Sequence, residues 1–287
     1  MTELLSLPKV LGKVGYLASL DLYKAEKPFF SNIPFFNIPG AKQQNLSVTD
    51  HEKTPIYDVR GREHLVSLDT CGFEIRRHPT VPSEAKFHDE EWIRREYWPE
   101  IQRFVKKELG ASEVKIFDHT VRRANPTSPI YVRGGMGRRE PSAMAHVDQT
   151  SQAAEQRVWY HMKDEAEKLL KGRYQIINVW HPLFGPIRHR PLGLCDYNSV
   201  NQAKDLEASD LIFPHYVGEQ WYSYHSPNHR WYYISDQMPD ECWLFKCHDS
   251  LTDGTAKYAM HTAIVLPKED EERPRESIEF RCLVFYE

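Results

Sequence analysis

Hydrophobic positions along the chain fall into two regimes, helical in the first half and strand-like in the second. From His88 to Gly110, the residues Trp92, Tyr97, Ile101, Val105 and Leu109 recur at steps of four or five with charges between them. That is the spacing of one buried helical face. Pro99 is expected at the first position of a second helix within this stretch, where its missing N–H costs little, and Gly110 at its C-terminal cap. Glu113 to Val121 reads as a strand, followed by a loop rich in Pro, Gly and Arg up to Pro141. A further amphipathic helix is predicted over about Gln152 to Leu170, ending at Gly172. From Arg173 onward the period becomes that of strands. Tyr174 to Trp180 runs on to Pro182, and Trp221 to Tyr224, Arg230 to Tyr233, Cys242 to Phe245 and Ser277 to Tyr286 follow between turn residues. Residues 26–62, by contrast, mix Pro, Asn, Gly and charge with little periodicity. Residues 1–62 are therefore expected as an extended N-terminal arm laid over the body. Helices first and short antiparallel strands after predict an α+β fold, mainly β, with a jelly-roll core and flanking helices, as a single domain over 1–287.

Composition narrows the classes of function more than it shapes the fold. The chain has 287 residues, 40% hydrophobic and 27% charged, enough to bury a substantial core. Its 37 basic and 41 acidic residues leave a net charge of −4, and the short clusters Arg122-Arg123 and Arg138-Arg139 have acidic residues nearby. No basic stripe exists for a phosphate backbone, so no nucleic-acid partner is expected. Cys71, Cys195, Cys242, Cys247 and Cys282 are odd in number, scattered and free of any CxxC pair. A disulfide framework or cysteine zinc site is not expected, and a reducing compartment fits best. Met1 to Leu22 lacks a basic segment followed by a long apolar one, and no apolar run approaches the roughly 20 residues of a membrane span. The expectation is a cytoplasmic protein that acts on a small molecule, away from membranes.

Chemistry enters at His146-Val147-Asp148. On an extended segment, residues i and i+2 point to the same side, so an imidazole and a carboxylate can take neighbouring positions on one metal. A distant histidine would complete the facial two-His, one-carboxylate set that leaves three positions open on Fe(II), two for a chelating 2-oxo acid and one for O2. Alone the motif is weak. With 14 histidines, about two His-x-Asp/Glu matches are expected by chance, and His88-Asp89-Glu90 is the other one present. Three features tip the balance. His261 lies in an expected strand well downstream. Pro274-Arg275-Glu276-Ser277 begins the last strand fourteen residues after it, with Arg275 and Ser277 on one face. A guanidinium fork and a hydroxyl there suit the far carboxylate of 2-oxoglutarate. Finally, the order of helices, His-x-Asp, strands, His and Arg-x-Ser is that of a known jelly-roll oxygenase design.

The residues that carry the resemblance are Phe117-Asp118-His119-Thr120-Val121-Arg122-Arg123, Ala145-His146-Val147-Asp148-Gln149-Thr150 and Gly172-Arg173-Tyr174-Gln175-Ile176-Ile177-Asn178-Val179-Trp180. They continue through His229-Arg230-Trp231-Tyr232-Tyr233, Phe245-Lys246-Cys247-His248-Asp249-Ser250 and Pro274-Arg275-Glu276-Ser277-Ile278-Glu279. From about residue 88 to the end, the sequence resembles the non-haem Fe(II)/2-oxoglutarate oxygenases. Within them it looks like the hydroxylase/desaturase branch, with fungal gibberellin-desaturase-like proteins and relatives of a cephamycin-pathway protein. The resemblance implies a distorted double-stranded β-helix (jelly roll), one Fe(II), 2-oxoglutarate as co-substrate and O2. One departure stands out: His181 follows the Trp of the Asn-x-Trp segment, where relatives tend to have Arg.

His146, Asp148 and His261 are thus the expected iron ligands, with Arg275 and Ser277 on the co-substrate. The bland alternatives are a surface hydrogen-bonded pair for His146 and Asp148, a core role for His261, and an ion pair of Arg275 with the acidic run Glu269 to Glu272. Asn178 and Trp180 share a strand face and are expected to point inward, Asn178 near the co-substrate and Trp180 on the substrate side or simply in the core. Tyr131 is a candidate donor to 2-oxoglutarate or a packing residue. Arg122 could hold a substrate carboxylate, although a solvated arginine is the commoner case. His181 is expected to border the substrate, and Arg281 to pair with Glu279 or reach the pocket. His225 and His229 are four apart, but Pro227 between them argues for a turn over a zinc-binding helix. The expected activity is oxidation of a biosynthetic intermediate by hydroxylation, desaturation or ring closure, with release of succinate and CO2. A jelly-roll metallohydrolase and a non-catalytic binding protein are the competing readings.

Overall fold

The computed structural model describes residues 3–33, 38–125 and 139–287. Among these, two β-sheets share the main hydrophobic core. The large sheet runs in the order Lys9–Leu17, Val48–Asp58, Trp231–Tyr233, Leu192–Cys195, Met260–Ala263, His146–Val147, Tyr216–Ser223, Leu206–Phe213 and Phe29–Ser31. The small sheet runs Phe73–Arg77, Glu241–Asp249, Tyr174–Pro182, Glu276–Phe285 and Glu113–Arg123, with antiparallel neighbours throughout. The protein is mainly β with few helices.

Tyr174–Pro182 is buried on both faces, and its alternation explains why. Ile176 and Trp180 turn toward the large sheet and pack with Trp243, Phe245, Leu194 and Trp231. Ile177 and Val179 turn the other way and meet Ile101, Phe104 and Val105 of the helix Trp98–Leu109. Each such fully buried side chain contributes roughly 1.5–3 kcal/mol, so the central strand is held by two cores rather than one.

The helical predictions hold in outline. Asp89 caps the first helical stretch, its carboxylate accepting from the Trp92 N–H at 2.9 Å. The chain then passes from Glu90–Trp92 through a π-helical turn at Ile93–Tyr97 into Trp98–Leu109 without a break. Pro99 thus falls in the first turn of the last segment, and the wider turn before it removes the need for its N–H. Gly110 closes the helix at φ 62°, a left-handed conformation that glycine adopts without strain. Thr150 caps Ser151–Met162 by accepting from Ala153 N–H at 3.1 Å, and a turn at Lys163 separates this helix from Ala166–Leu169.

The N-terminal region differs from expectation. Instead of lying over a finished body, Lys9–Leu17 and Val48–Asp58 pair with each other as long strands of the large sheet, and Phe29–Ser31 adds to its other edge. Polar positions in Val48–Asp58 face solvent while Thr54 and Ile56 are buried, so a half-exposed strand resembled an irregular arm. Leu192–Cys195 and Leu206–Phe213 likewise show no clear strand period in the sequence. The first is too short to show a period, and acidic residues interrupt the second. No helix among the described residues is long and apolar enough to cross a membrane.

Candidate metal centre

His146 and His261 are direct partners across the antiparallel pair formed by His146–Val147 and Met260–Ala263. Opposed residues send their side chains to the same face of a sheet, and the two imidazole centroids lie 4.3 Å apart. Two residues beyond His146, the carboxylate of Asp148 reaches the same point. Its Oδ1 is 3.5 Å from His146 Nε2 and 3.8 Å from His261 Nε2, and the candidate ligand atoms all lie within 4.8 Å of one another. His146 is buried, so it is not half of a surface pair.

The tautomers follow from the backbone. His146 Nδ1 lies 2.8 Å from Met144 O, and His261 Nδ1 lies 3.2 Å from Ala259 O. A carbonyl can only accept, so each Nδ1 donates its proton there and each Nε2 is the nitrogen turned inward. Burial, followed by the neighbouring His146, lowers the His261 pKa to about 3. Burial by itself would raise the Asp148 carboxyl, but above all the Arg281 guanidinium holds it well below the usual carboxylate range. Two imidazoles and one carboxylate are the donor set that a divalent iron takes.

The second oxygen of Asp148 is otherwise engaged. Asp148 Oδ2 accepts from Arg281 Nε at 2.7 Å and from Asn178 Nδ2 at 2.8 Å. Arg281 also donates to Glu279, to Asp118 at 3.2 Å and to Thr120 at 3.0 Å. Of the two expectations for Arg281 the pairing with Glu279 is the one found, and the expected placement of Asn178 is corrected. Arg281 does not offer a free guanidinium to a substrate, and the Asn178 amide N–H turns to Asp148 rather than to a co-substrate. Thr120 and Asp118, which help hold Arg281, went unnoticed because their contact to it crosses strands. They lie within a stretch that carried the family resemblance, which was the available signal.

A cleft opens beside the two histidines, lined by Arg122, Trp180, Leu192, Thr262 and Arg275. Arg275 is only 2% exposed, which excludes a surface ion pair with Glu269 to Glu272. Its Nη1 donates to Arg190 O at 2.6 Å, and the guanidinium sits 5.4 Å from the centre of the Trp180 ring. Arg275 Nε and Ser277 Oγ are buried without a hydrogen-bond partner. Burial, and then Arg122, lowers the Arg275 pKa to about 9. A cation and a hydroxyl left unsatisfied in a dry cleft are costly unless an anion completes them. The residues present therefore fit a carboxylate-bearing co-substrate. Arg122 donates to Glu140 O at 2.8 Å and faces the same cleft, so it is not a solvated arginine. Tyr131 lies outside the described residues.

His181 is elsewhere, and the strand period explains the correction. It is next to Trp180 and so faces the helices, where Tyr97 Oη lies 3.0 Å from its Nε2 and Phe87 packs edge-on. It does not border the cleft.

Paired sheets that gather two histidines, one carboxylate and an uncompensated arginine define a class, the non-haem Fe(II)/2-oxoglutarate oxygenases. Comparison with known proteins narrows it. The family described as "Oxidoreductase/YMDC permease-like domain" matches residues 15–285. The hydroxylase/desaturase efuI of Hormonema carpetanum is 34% identical over 81% of this chain and 83% of its own length. The hydroxylase/desaturase CTB9 of Cercospora beticola is 32% identical over 81% and 76% respectively. Among solved structures, the iron and alpha-ketoglutarate-dependent endoperoxidase NvfI superposes with a TM-score of 0.83 at 25% identity, covering 97% of this chain and 98% of that one. The chain belongs to this oxidoreductase family, in the hydroxylase/desaturase branch of the Fe(II)/2-oxoglutarate-dependent oxygenases.

Proposed function

We propose that His146, Asp148 and His261 hold Fe(II), that Arg275 and Ser277 take the distal carboxylate of 2-oxoglutarate, and that the enzyme oxidises a small biosynthetic intermediate. The observation that carries this reading is the convergence of two imidazole Nε2 atoms and Asp148 Oδ1 beside the unpartnered Arg275 Nε and Ser277 Oγ. Held there with 2-oxoglutarate and O2, Fe(II) would supply the oxidising chemistry, with succinate and CO2 as co-products. The chain's own part is placement and exclusion of water. Met144 O and Ala259 O hold the imidazoles in the ligating tautomer. Trp180 and Leu192 keep the cleft dry, and that strengthens the pull of Arg275 on an anion. Arg122, beside Arg275, is available for a second acidic group, from the co-substrate or the substrate. Hydroxylation, desaturation and ring closure begin with the same hydrogen abstraction, and all three remain within this reading.

The fold is best read as a distorted jelly roll, with residues 1–287 as one unit whose N-terminal strands extend the large sheet. Five free, buried cysteines support a reducing, cytoplasmic setting.

The test uses purified apo-protein mixed with Fe(II) and 2-oxoglutarate without oxygen. A visible metal-to-ligand charge-transfer band is expected, followed by 2-oxoglutarate-dependent succinate formation on admission of air. Asp148→Ala should abolish both. Absence of the band and of succinate in the wild-type protein sinks the assignment.

A further inference from the structure

The strand pair that carries the co-substrate residues also carries a device aimed at one oxygen of the metal-binding carboxylate. Arg281 and Asn178 are direct partners across Glu276–Phe285 and Tyr174–Pro182. Both side chains leave the inner face at the same level of the small sheet, and both end on Asp148 Oδ2, at 2.7 Å and 2.8 Å. Oδ1 is left to face the histidine Nε2 atoms at 3.5 Å and 3.8 Å. The arrangement is built rather than incidental. The pairing of this strand with Glu113–Arg123 skips Phe117, since Arg281 opposes Asp118 and Cys282 opposes Ile116, and a bulge there re-aims the side chains beside it, Asp118 among them. The guanidinium is then fixed on its other sides by Glu279, Asp118 and Thr120. Four of its five N–H donors have protein acceptors, so little of it remains for a substrate.

We propose that Arg281 and Asn178 are positioning residues that make Asp148 a one-oxygen ligand. A carboxylate with both oxygens free can chelate a metal and take two of its positions. With Oδ2 held by a charge-assisted bond and an amide bond, Asp148 gives only Oδ1. Together with the two histidines it then occupies three positions and leaves three, the number that a chelating 2-oxo acid and O2 require. The pair thus protects coordination sites that a relaxed carboxylate would close. This inference rests on the proposed metal assignment above.

The experiment titrates Co(II) into the metal-free protein and reads both the affinity and the visible absorption of the complex, before and after 2-oxoglutarate. Wild-type protein should bind Co(II), and Asp148→Asn should bind it far more weakly. If wild type takes up no Co(II), or Asp148→Asn binds as tightly, the metal assignment itself is wrong. Given binding by the wild type, Arg281→Met and Asn178→Leu should each weaken Co(II) affinity on the order of 10–100-fold, the usual effect of removing a group that orients a metal ligand. They should also alter the Co(II) absorption and weaken its response to 2-oxoglutarate. Arg281→Lys, which keeps a charge without the fork, should recover part of the affinity and serves if Arg281→Met fails to fold. Asp249→Asn, a buried change away from the centre, controls for lost stability and should leave affinity and spectrum unchanged. Arg281→Lys and Asn178→Leu with wild-type affinity and unaltered spectra would overturn the proposal.

Discussion

At the scale of single residues, the chemistry depends on polar atoms placed where water cannot serve them. Arg275 is the clearest case: its guanidinium has a backbone carbonyl on one side and an unsatisfied Nε on the other, in a cleft shared with Arg122. Removing one member of a buried, hydrogen-bonded charge pair costs about 2–5 kcal/mol. Arg275→Met is therefore expected to weaken 2-oxoglutarate binding on the order of 100-fold, about 3 kcal/mol. Arg275→Lys should fall between, since an ammonium cannot reproduce the planar fork. Anaerobic titration with 2-oxoglutarate, followed by the charge-transfer band, measures this, and an unchanged dissociation constant for Arg275→Met would remove Arg275 from the co-substrate site. Arg275 and Ser277 were legible in the sequence because spacing by two on a strand puts both on one face. Arg281 belongs to that same face, and its pairing with Glu279 was legible there, but its hold on Asp148 was not. Its partners Asn178, Asp118 and Asp148 come from other elements, and no local spacing reports a contact made across three chain segments.

At the scale of elements, the small sheet is fastened at one end by a buried ionic knot. Asp249, at the end of Glu241–Asp249, accepts from Lys246 Nζ, Arg173 Nη2 and Gln175 Nε2, each at 2.7 Å. The Lys246 and Asp249 side chains are both fully buried. Breaking such a knot by removing one charge strands the others, so Asp249→Asn is expected to cost about 3 kcal/mol in chemical denaturation near neutral pH. Burial opposes the Asp249 carboxylate, but Arg173 and Lys246 overcome it and lower its pKa to about 2 from the ordinary 3.8. A carboxyl lowered on folding stabilises fully above its unfolded pKa and loses that contribution as pH falls toward the folded value. The gap between wild type and Asp249→Asn should thus be full at pH 7 and close on approach to pH 2. A gap independent of pH would mean that the knot acts through shape alone. Long elements such as Trp98–Leu109 and Tyr174–Pro182 were readable from period, because each buries a continuous face. Val48–Asp58, with one face in solvent, and Leu192–Cys195, with four residues, carry too few periodic positions to declare themselves.

At the scale of the whole molecule, stability toward acid should be governed first by histidines that the fold keeps neutral. Burial lowers the pKa of His181 and His248 to about 4, from an ordinary 6.5, and His161 and His189 are shifted in the same direction to similar values. In His181 the cause is burial: the ring is enclosed by Tyr97, whose Oη lies 3.0 Å from Nε2, and by Phe87, and this outweighs the Pro182 carbonyl that accepts from Nδ1 and favours the charged form. When pH falls below 6.5 the unfolded chain binds protons that the folded chain refuses until about pH 4. Across that window each such histidine removes at most about 1.4 kcal/mol per pH unit from the folding free energy. The more accessible His161 contributes less than that limit, and His181, 2% exposed, should come close to it. Urea unfolding at pH 7.5, 6.5, 5.5 and 4.5 is expected to show roughly constant stability between the first two and a steady decline after. His181→Gln starts from a lower stability, because it gives up the fit to Tyr97, yet its decline should be shallower by one histidine's share. Parallel declines in the two proteins would mean that His181 accepts a proton in the folded state, and that the packing around Tyr97 is more open than its distances imply.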